Sequence, residues 1–281
     1  MTSRRSCRAW SRRRRHSASG FGQQEARIIP APPARDERAL IERCRQARKD
    51  ARLAVLDGLH ALKHALRFDA EIEAAYTDDR AALLRLAGDL APDIVSLLES
   101  LVEDLPPAAF TALAPRVPET GVLALAKRPE ADIATILSSS RAAPAIWLED
   151  PAHLGNVGAV VRVAAAAGAS AVLTSGRHDP WDPAALRGSA GLHFALPVLH
   201  LNRLPDSAGP IIAIDPEGEP FRPEAVPSNA ILTFGSERRG LSSDIIERAE
   251  QRLALPMRPA ISSLNLATAV SAVLYAWRLT V

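Results

Sequence analysis

Three short blocks of the chain combine residue types that can hold a ligand and act on it. The first runs Leu148-Glu149-Asp150-Pro151-Ala152-His153-Leu154-Gly155-Asn156-Val157-Gly158-Ala159-Val160-Val161-Arg162. Asn156 offers a donor and an acceptor, and Arg162 a permanent charge with forked donors. On a helix starting near Asn156 the arginine falls under two turns further on, among valines and alanines, where a charge is costly to bury unless paired. A structural salt bridge and a functional role account for it equally. Gly155 and Gly158 match neither the dinucleotide fingerprint nor the phosphate loop with its Gly-Lys-Ser/Thr ending, so redox and nucleotide-hydrolysis readings lose support. The second block is Phe234-Gly235-Ser236-Glu237-Arg238-Arg239-Gly240-Leu241. Its glycines either let backbone amides approach a ligand or make a tight turn, and Glu237 can accept hydrogen bonds from a substrate or orient Arg162. Asp244 and Glu247, just beyond, read as a structural capping pair. The third block is Leu255-Pro256-Met257 followed by Ser262-Ser263-Leu264-Asn265, where Ser263 taken alone reads as a helix N-cap. No Ser-His-Asp arrangement and no histidine in the context of a base is present.

Such residues need a frame. Strands fit Ala145–Leu148, Ala171–Thr174, Leu196–Leu199, Ile211–Ile214, Ala230–Phe234 and Arg252–Leu255, and helices fit Val157–Ala167, Ser242–Gln251 and Asn265–Leu279. This alternation predicts a largely parallel sheet covered on both faces, with ligands at the carboxyl ends of the strands. Ahead of it, from Asp36, come a helical stretch with Leu40, Ile41 and Cys44, a strand Leu53–Leu56 closed by Asp57-Gly58, and a helix Leu59–Arg67. A strand near Ile72–Tyr76, a helix Asp79–Ala87, helical turns through Leu105 to Leu113 and a strand Gly121–Ala126 complete a small α/β unit. On the helix Leu59–Arg67 the leucines share one side, leaving His60, Lys63, His64 and Arg67 on the other. That side can touch RNA or be an ordinary solvated face, the commoner use of any one such residue. His60 and His64 lack the glutamate of a zinc-protease signature. Residues 128–144, with Pro129, Ser138-Ser139-Ser140 and Pro144, read as a linker with one short helix.

Composition bounds the class. At 281 residues, 47% apolar and 23% charged, the chain has material for two globular domains. The apolar stretches 157–173 and 264–277 are broken by Arg162, Asn265 and Ser271, so no membrane span is expected. Cys7 and Cys44 give no metal or disulfide spacing, which suits a reducing cytoplasm. Seven arginines fall in residues 1–15 without an acid, and the rest of the chain holds 27 bases against 32 acids. Any nucleic-acid contact must therefore use local patches helped by a basic arm. No apolar run follows the arginines, so a secretory signal is not expected. Residues 1–34 read as a disordered basic tail, either a solvated extension or an RNA-binding arm.

Together the three blocks resemble the SpoU (TrmH-like) family of RNA ribose 2′-O-methyltransferases, within the class of trefoil-knotted, S-adenosylmethionine-dependent enzymes. Asn156 with Arg162 fits the first motif of the family. Gly235-x-Glu237-x-x-Gly240-Leu241 fits the second, and Leu255-Pro256-Met257 with Ser263-Leu264-Asn265 the third; Arg187-Gly188-Ser189-Ala190-Gly191 is similar as well. Residues 35–127 resemble, less specifically, an L30e-like RNA-binding domain, with Leu56-Asp57-Gly58 where Val-Glu-Gly is usual. Two departures stand: Leu266-Ala267-Thr268-Ala269 replaces a common Val-Ser-Val-Ala, and Arg238-Arg239 fills variable positions.

The resemblance implies an α/β fold: a knotted catalytic domain at 145–281 with a mostly parallel sheet and helices on both faces, and a smaller N-terminal α/β domain. It implies S-adenosylmethionine held by Phe234, Gly235, Leu255, Met257 and Leu264, with Arg162, Asn156, Glu237, Ser263 and Asn265 at the reacting ribose, no metal, and a homodimer. Family members are thought to use the arginine to activate the hydroxyl, but a guanidinium is almost never deprotonated and is a better phosphate clamp. A 2′-hydroxyl acceptor means RNA and not DNA. The N-terminal domain favours 23S ribosomal RNA over transfer RNA. A non-catalytic RNA-binding or ribosome-assembly protein is the rival from another class, and self-protection against a ribosome-targeting antibiotic is a third reading.

Overall fold

The computed structural model describes residues 37–138, 140–206 and 209–281; the basic tail assigned to residues 1–34, with Cys7, lies outside them. The N-terminal unit contains α1 (Glu37–Ala47), β1 (Leu53–Asp57), α2 (Leu59–Arg67), β2 (Ile72–Thr77), α3 (Arg80–Leu90), α4 (Val95–Leu101), β3 (Val102–Asp104), α5 (Pro107–Ala112) and β4 (Val122–Lys127). Its sheet has the order β1-β4-β2-β3, with β4 antiparallel to both neighbours and β2 parallel to β3. Residues 122–126 of β4, Val-Leu-Ala-Leu-Ala, carry no polar residue because both faces are covered, and the exposed Lys127 ends the strand. Leu123 and Leu125 pack with Leu40, Cys44 and Phe110 on one side. Val122, Ala124 and Ala126 meet Leu59, Leu62 and Leu83 on the other. The helical turns expected through Leu105–Leu113 are α5 alone, preceded by β3, a strand too short to show a period.

The second unit follows as α6 (Ile133–Ile136), β5 (Ala145–Leu148), α7 (Leu154–Ala167), β6 (Ala171–Thr174), α8 (Pro183–Gly188), β7 (Val198–His200), β8 (Ile211–Pro220), β9 (Ile231–Phe234), α9 (Ser243–Arg248), β10 (Gln251–Ala254) and α10 (Leu266–Arg278). Its six strands run in the order β10-β8-β9-β5-β6-β7, every pair parallel. In β5, Ile146 and Leu148 face the core under α7 and α10, while Ala145 and Trp147 face Leu137, Ile231 and Ile245. Nothing in the hydrophobic period announces α8; it is started by Asp182, whose carboxylate accepts from Ala184 N at 2.7 Å ahead of Pro183 in the first turn.

The strand order places the site. β5, first in sequence within this sheet, lies between β9 and β6, so the connections diverge on either side of it. Leu148 pairs with Phe234, so the first and second blocks leave adjacent strands at their carboxyl ends, where a crevice opens in parallel sheets. β10 is the edge strand two places from β9, and the irregular segment 255–264 carries the third block back to α10.

The two units pack closely. Gly191, at φ +78°, lies so near α2 that a Cβ there would meet Ala61 O at 2.4 Å. His64 Nδ1 is 2.7 Å from Ala190 O, and Arg187 Nη1 donates to Asp57 Oδ2 at 2.8 Å. Arg128 donates from Nε to Leu53 O at 2.7 Å, pairs with Asp179 at 2.8 Å and lies over the Trp181 ring.

Candidate active site

The three blocks converge on one hydrogen-bonded chain. Asn156 Nδ2 donates to Glu237 Oε1 at 2.8 Å, and Asn265 Nδ2 donates to Asn156 Oδ1 at 3.1 Å. The second carboxylate oxygen of Glu237 accepts from Ala152 N at 2.9 Å. Burial works against the charge of Glu237, but the N–H of Ala152 and the amide of Asn156 outweigh it, so its carboxyl lies below its ordinary value. Asn265 is itself fixed, because its Oδ1 accepts from Ala267 N at 3.0 Å and Thr268 N at 3.4 Å as the N-cap of α10. That corrects the assignment of the cap to Ser263, which lies exposed in the irregular segment before it. An amide carries two N–H donors, and Asn156 and Asn265 each spend one here, leaving one apiece for a bound oxygen.

The second block folds on itself. Ser236 and Gly240 exchange backbone hydrogen bonds at 3.1 and 3.0 Å, and a Cβ on Gly235 would meet the Gly240 carbonyl carbon at 2.0 Å. The tight turn and the exposed carboxylate thus come from the same glycines. Behind it, Ser242 caps α9 and is held through N and Oγ by Glu149 at 2.7 and 2.6 Å. This replaces the expected Asp244–Glu247 pair: Asp244 instead bonds Arg248. Glu149 was visible only as an acid at a strand end, and its partner lies 93 residues away.

Arg162 stands apart from this chain. Of the two readings of the sequence, a structural salt bridge and a functional role, the salt bridge does not form among the described residues. Val157, Val160, Val161 and Ala164 take the core side of α7, and Arg162 is exposed, with no ion pair among the described residues. It is the only charged residue of α7 and exerts its field on His60 and Lys63 of α2.

The residues expected to hold a cofactor differ in exposure. Phe234 is buried, Leu255 and Met257 are half-buried, and Leu264 and Ile261 are exposed apolar side chains at 43% and 54%. Among the described residues, the backbone of 255–264 makes one internal hydrogen bond, Ile261 N to Arg258 O at 3.1 Å. Free amides and carbonyls beside uncovered apolar side chains suit a flat heteroaromatic ring with polar edges.

Comparison with known proteins bears on this constellation. A model of the SpoU rRNA Methylase family matches residues 143–275. Over 136 residues the chain is 36% identical to a tRNA (cytidine(34)-2′-O)-methyltransferase of Burkholderia cenocepacia, covering 44% of this chain and 86% of that one. Over 230 residues it is 26% identical to the 23S rRNA (guanosine(2553)-2′-O)-methyltransferase RlmP of Bacillus subtilis, covering 79% and 86%. It spans about half the length, 49%, of another curated relative. The solved SpoU methyltransferase AviRb of Streptomyces viridochromogenes shares its fold, with a TM-score of 0.70 at 21% identity over 88% of this chain and 98% of that one. The chain belongs to the SpoU methylase family, and its α/β fold with a parallel sheet is the one the three motifs implied.

Proposed function

We propose that this protein transfers a methyl group from S-adenosylmethionine to the 2′-hydroxyl of a ribose in structured RNA, with 23S ribosomal RNA as the substrate. The observation that carries the reading is the chain Glu237–Asn156–Asn265, which ties all three family motifs together at the carboxyl ends of β5 and β9. The choice of ribosomal RNA draws on the Bacillus subtilis relative, which is similar across both units, whereas the transfer-RNA relative covers 44% of this chain. Residues 35–127 recognise the RNA, 128–144 connect, and 145–281 hold the reaction.

When bound, S-adenosylmethionine supplies an electrophilic methyl carbon on a sulfonium centre. Phe234, Gly235, Leu255, Met257 and Leu264 hold it. Glu237 stays ionised at neutral pH and, engaged by two donors, serves to fix Asn156 and not to take a proton. Asn156 and Asn265 direct their remaining N–H groups at substrate oxygens, which aligns the acceptor. Ser263 adds a hydroxyl at the same rim. Arg162 clamps phosphate through the forked donors of its guanidinium. The acceptor's proton leaves to solvent at this exposed edge. The exposed Tyr275 and Leu279 of the C-terminal helix and the residue after it are the surface offered to a second copy of the chain. The cytoplasm is the compartment, consistent with the free, buried Cys44. No described helix is long and apolar enough to cross a membrane.

The test is methyl transfer from labelled S-adenosylmethionine to bulk ribosomal and transfer RNA by the native protein and Arg162→Ala, with mapping of the modified ribose. Label on ribosomal RNA that falls with Arg162→Ala is expected. Label only on transfer RNA would reassign the substrate. No label together with no cofactor binding by calorimetry would leave an RNA-binding scaffold.

A further inference from the structure

The helix α2 carries four polar residues away from its leucines, and the tertiary structure divides them. His64 is taken up by Ala190 O. Arg67 donates to both carboxylate oxygens of Asp93, at 2.8 and 2.6 Å. His60 and Lys63, on the same stripe of the helix as Arg67, make no hydrogen bond or ion pair among the described residues, and neither does Arg162 across the boundary between the units. We propose that His60 and Lys63 of α2 and Arg162 of α7 form one phosphate-binding edge, which guides the RNA backbone from the four-stranded unit to the reacting ribose. The proposal rests on the RNA-methyltransferase reading.

Two observations support it. First, α2 and α7 pack against the same segment: Gly191 closes on Ala61 and His64 on Ala190, while on α7 a Cβ at Gly158 would meet Ala185 O at 2.2 Å, and Arg162 lies one turn on along that face. Second, they feel one another. Burial lowers the pKa of His60, and Lys63 and then Arg162 lower it further. Burial also lowers Lys63, with Arg67 and Arg162 acting in the same sense and Asp93 the opposing acid. Asp93 is already engaged by Arg67, so the array keeps a surplus of positive charge that a polyanion relieves. The other residues of this stripe of α7 are small, Gly155 and Ala166 exposed and Ala159 half-buried, which suits the approach of a sugar-phosphate strand.

The experiment measures RNA binding against salt concentration with the full chain, beside calorimetry with S-adenosylmethionine. For Lys63→Ala and Arg162→Ala the slope of log affinity against log salt is expected to fall by about 0.7–0.9 each, one phosphate contact apiece, with affinity lowered severalfold for every RNA tried. His60→Ala is expected to lower affinity less at pH 7. Arg67→Ala, whose charge Asp93 neutralises, should leave the slope unchanged, and Lys63→Gln repeats the test should the alanine variant melt early. Unchanged slopes for both Lys63 variants would overturn the proposal, as would a weakened cofactor affinity in place of a weakened RNA affinity. Native protein that binds RNA with these slopes but transfers no methyl group would sink the methyltransferase reading and leave the edge standing. Methyl transfer with unaltered Lys63 slopes would do the reverse, and native protein that binds no RNA would overturn both.

Discussion

At the scale of single residues, the site consists of oriented amides. Asn156 receives from Asn265 and gives to Glu237, so the direction of both hydrogen bonds is set by a carboxylate that can only accept. Asn156→Ala is expected to lower the rate of methyl transfer about 100-fold while cofactor affinity stays within a factor of a few, because a misplaced acceptor costs rate before it costs binding. The same change removes a donor from Glu237, whose carboxyl then moves up toward its ordinary 4.5. An NMR titration of that carboxylate checks the direction, and an unmoved value would remove Asn156 from the network. Buried His193 is a different case. Burial pushes its pKa down to about 4, and its ring is held by Ser189 Oγ at 2.7 Å and Pro180 O at 2.8 Å. Between pH 6.5 and 4 the unfolded chain binds a proton at this residue that the folded chain does not. Stability from this residue is therefore complete above about 6.5 and falls as the pH drops toward 4, by about 3 kcal/mol. Melting curves across that window should show the loss, and His193→Gln should flatten it.

At the scale of elements, the blocks work because each lies at a strand or helix end. β5 and β9 end side by side, α7 starts within the first block and carries its Asn156 and Arg162, and the cap of α10 is itself a site residue. The turn after β9 tolerates no side chain at Gly235, where a Cβ would overlap the Gly240 carbonyl. Gly235→Ala is expected to open that turn, raise the dissociation constant for S-adenosylmethionine at least tenfold and lower stability by about 1–3 kcal/mol. Calorimetry and thermal melts read both, and full-strength cofactor binding would show that the turn does not shape the pocket. Most strands and long helices of the sheet were legible because a buried parallel strand is a short apolar run between turns. The elements that gave no signal, β3, α4 and α8, are three, seven and six residues long.

At the scale of the whole molecule, the two units act as one body. Leu59 and Leu62 of α2 belong to the same apolar core as Val157 and Val160 of α7, so their relative placement is set by packing, including the close approach of Gly191 to Ala61, as well as by the polar contacts of Arg187 and Arg128. Gly191→Ala would drive a Cβ into Ala61 O at a positive φ. It is expected to loosen the docking, raise the KM for RNA and leave cofactor affinity unchanged; a single unfolding transition splitting in two would show the units parting. Unaltered KM would mean that the N-terminal unit recognises RNA independently of its seat.

By itself the amino-acid sequence determined the α/β class, most elements of the large sheet and the three motifs, because hydrophobic period, turn residues and motif spacing are local. Only the tertiary structure decided which members of those motifs touch. Asn156, Glu237 and Asn265, separated by as much as 109 residues, became one hydrogen-bonded chain, while Arg162 stayed exposed and outside it. The fate of the four polar residues on α2 was likewise hidden, since Asp93 and Ala190, which engage two of them, lie 26 and 126 residues away. Hydrogen bonds of that span depend on strand order and on the docking of the two units, and neither is written in any local pattern of residues.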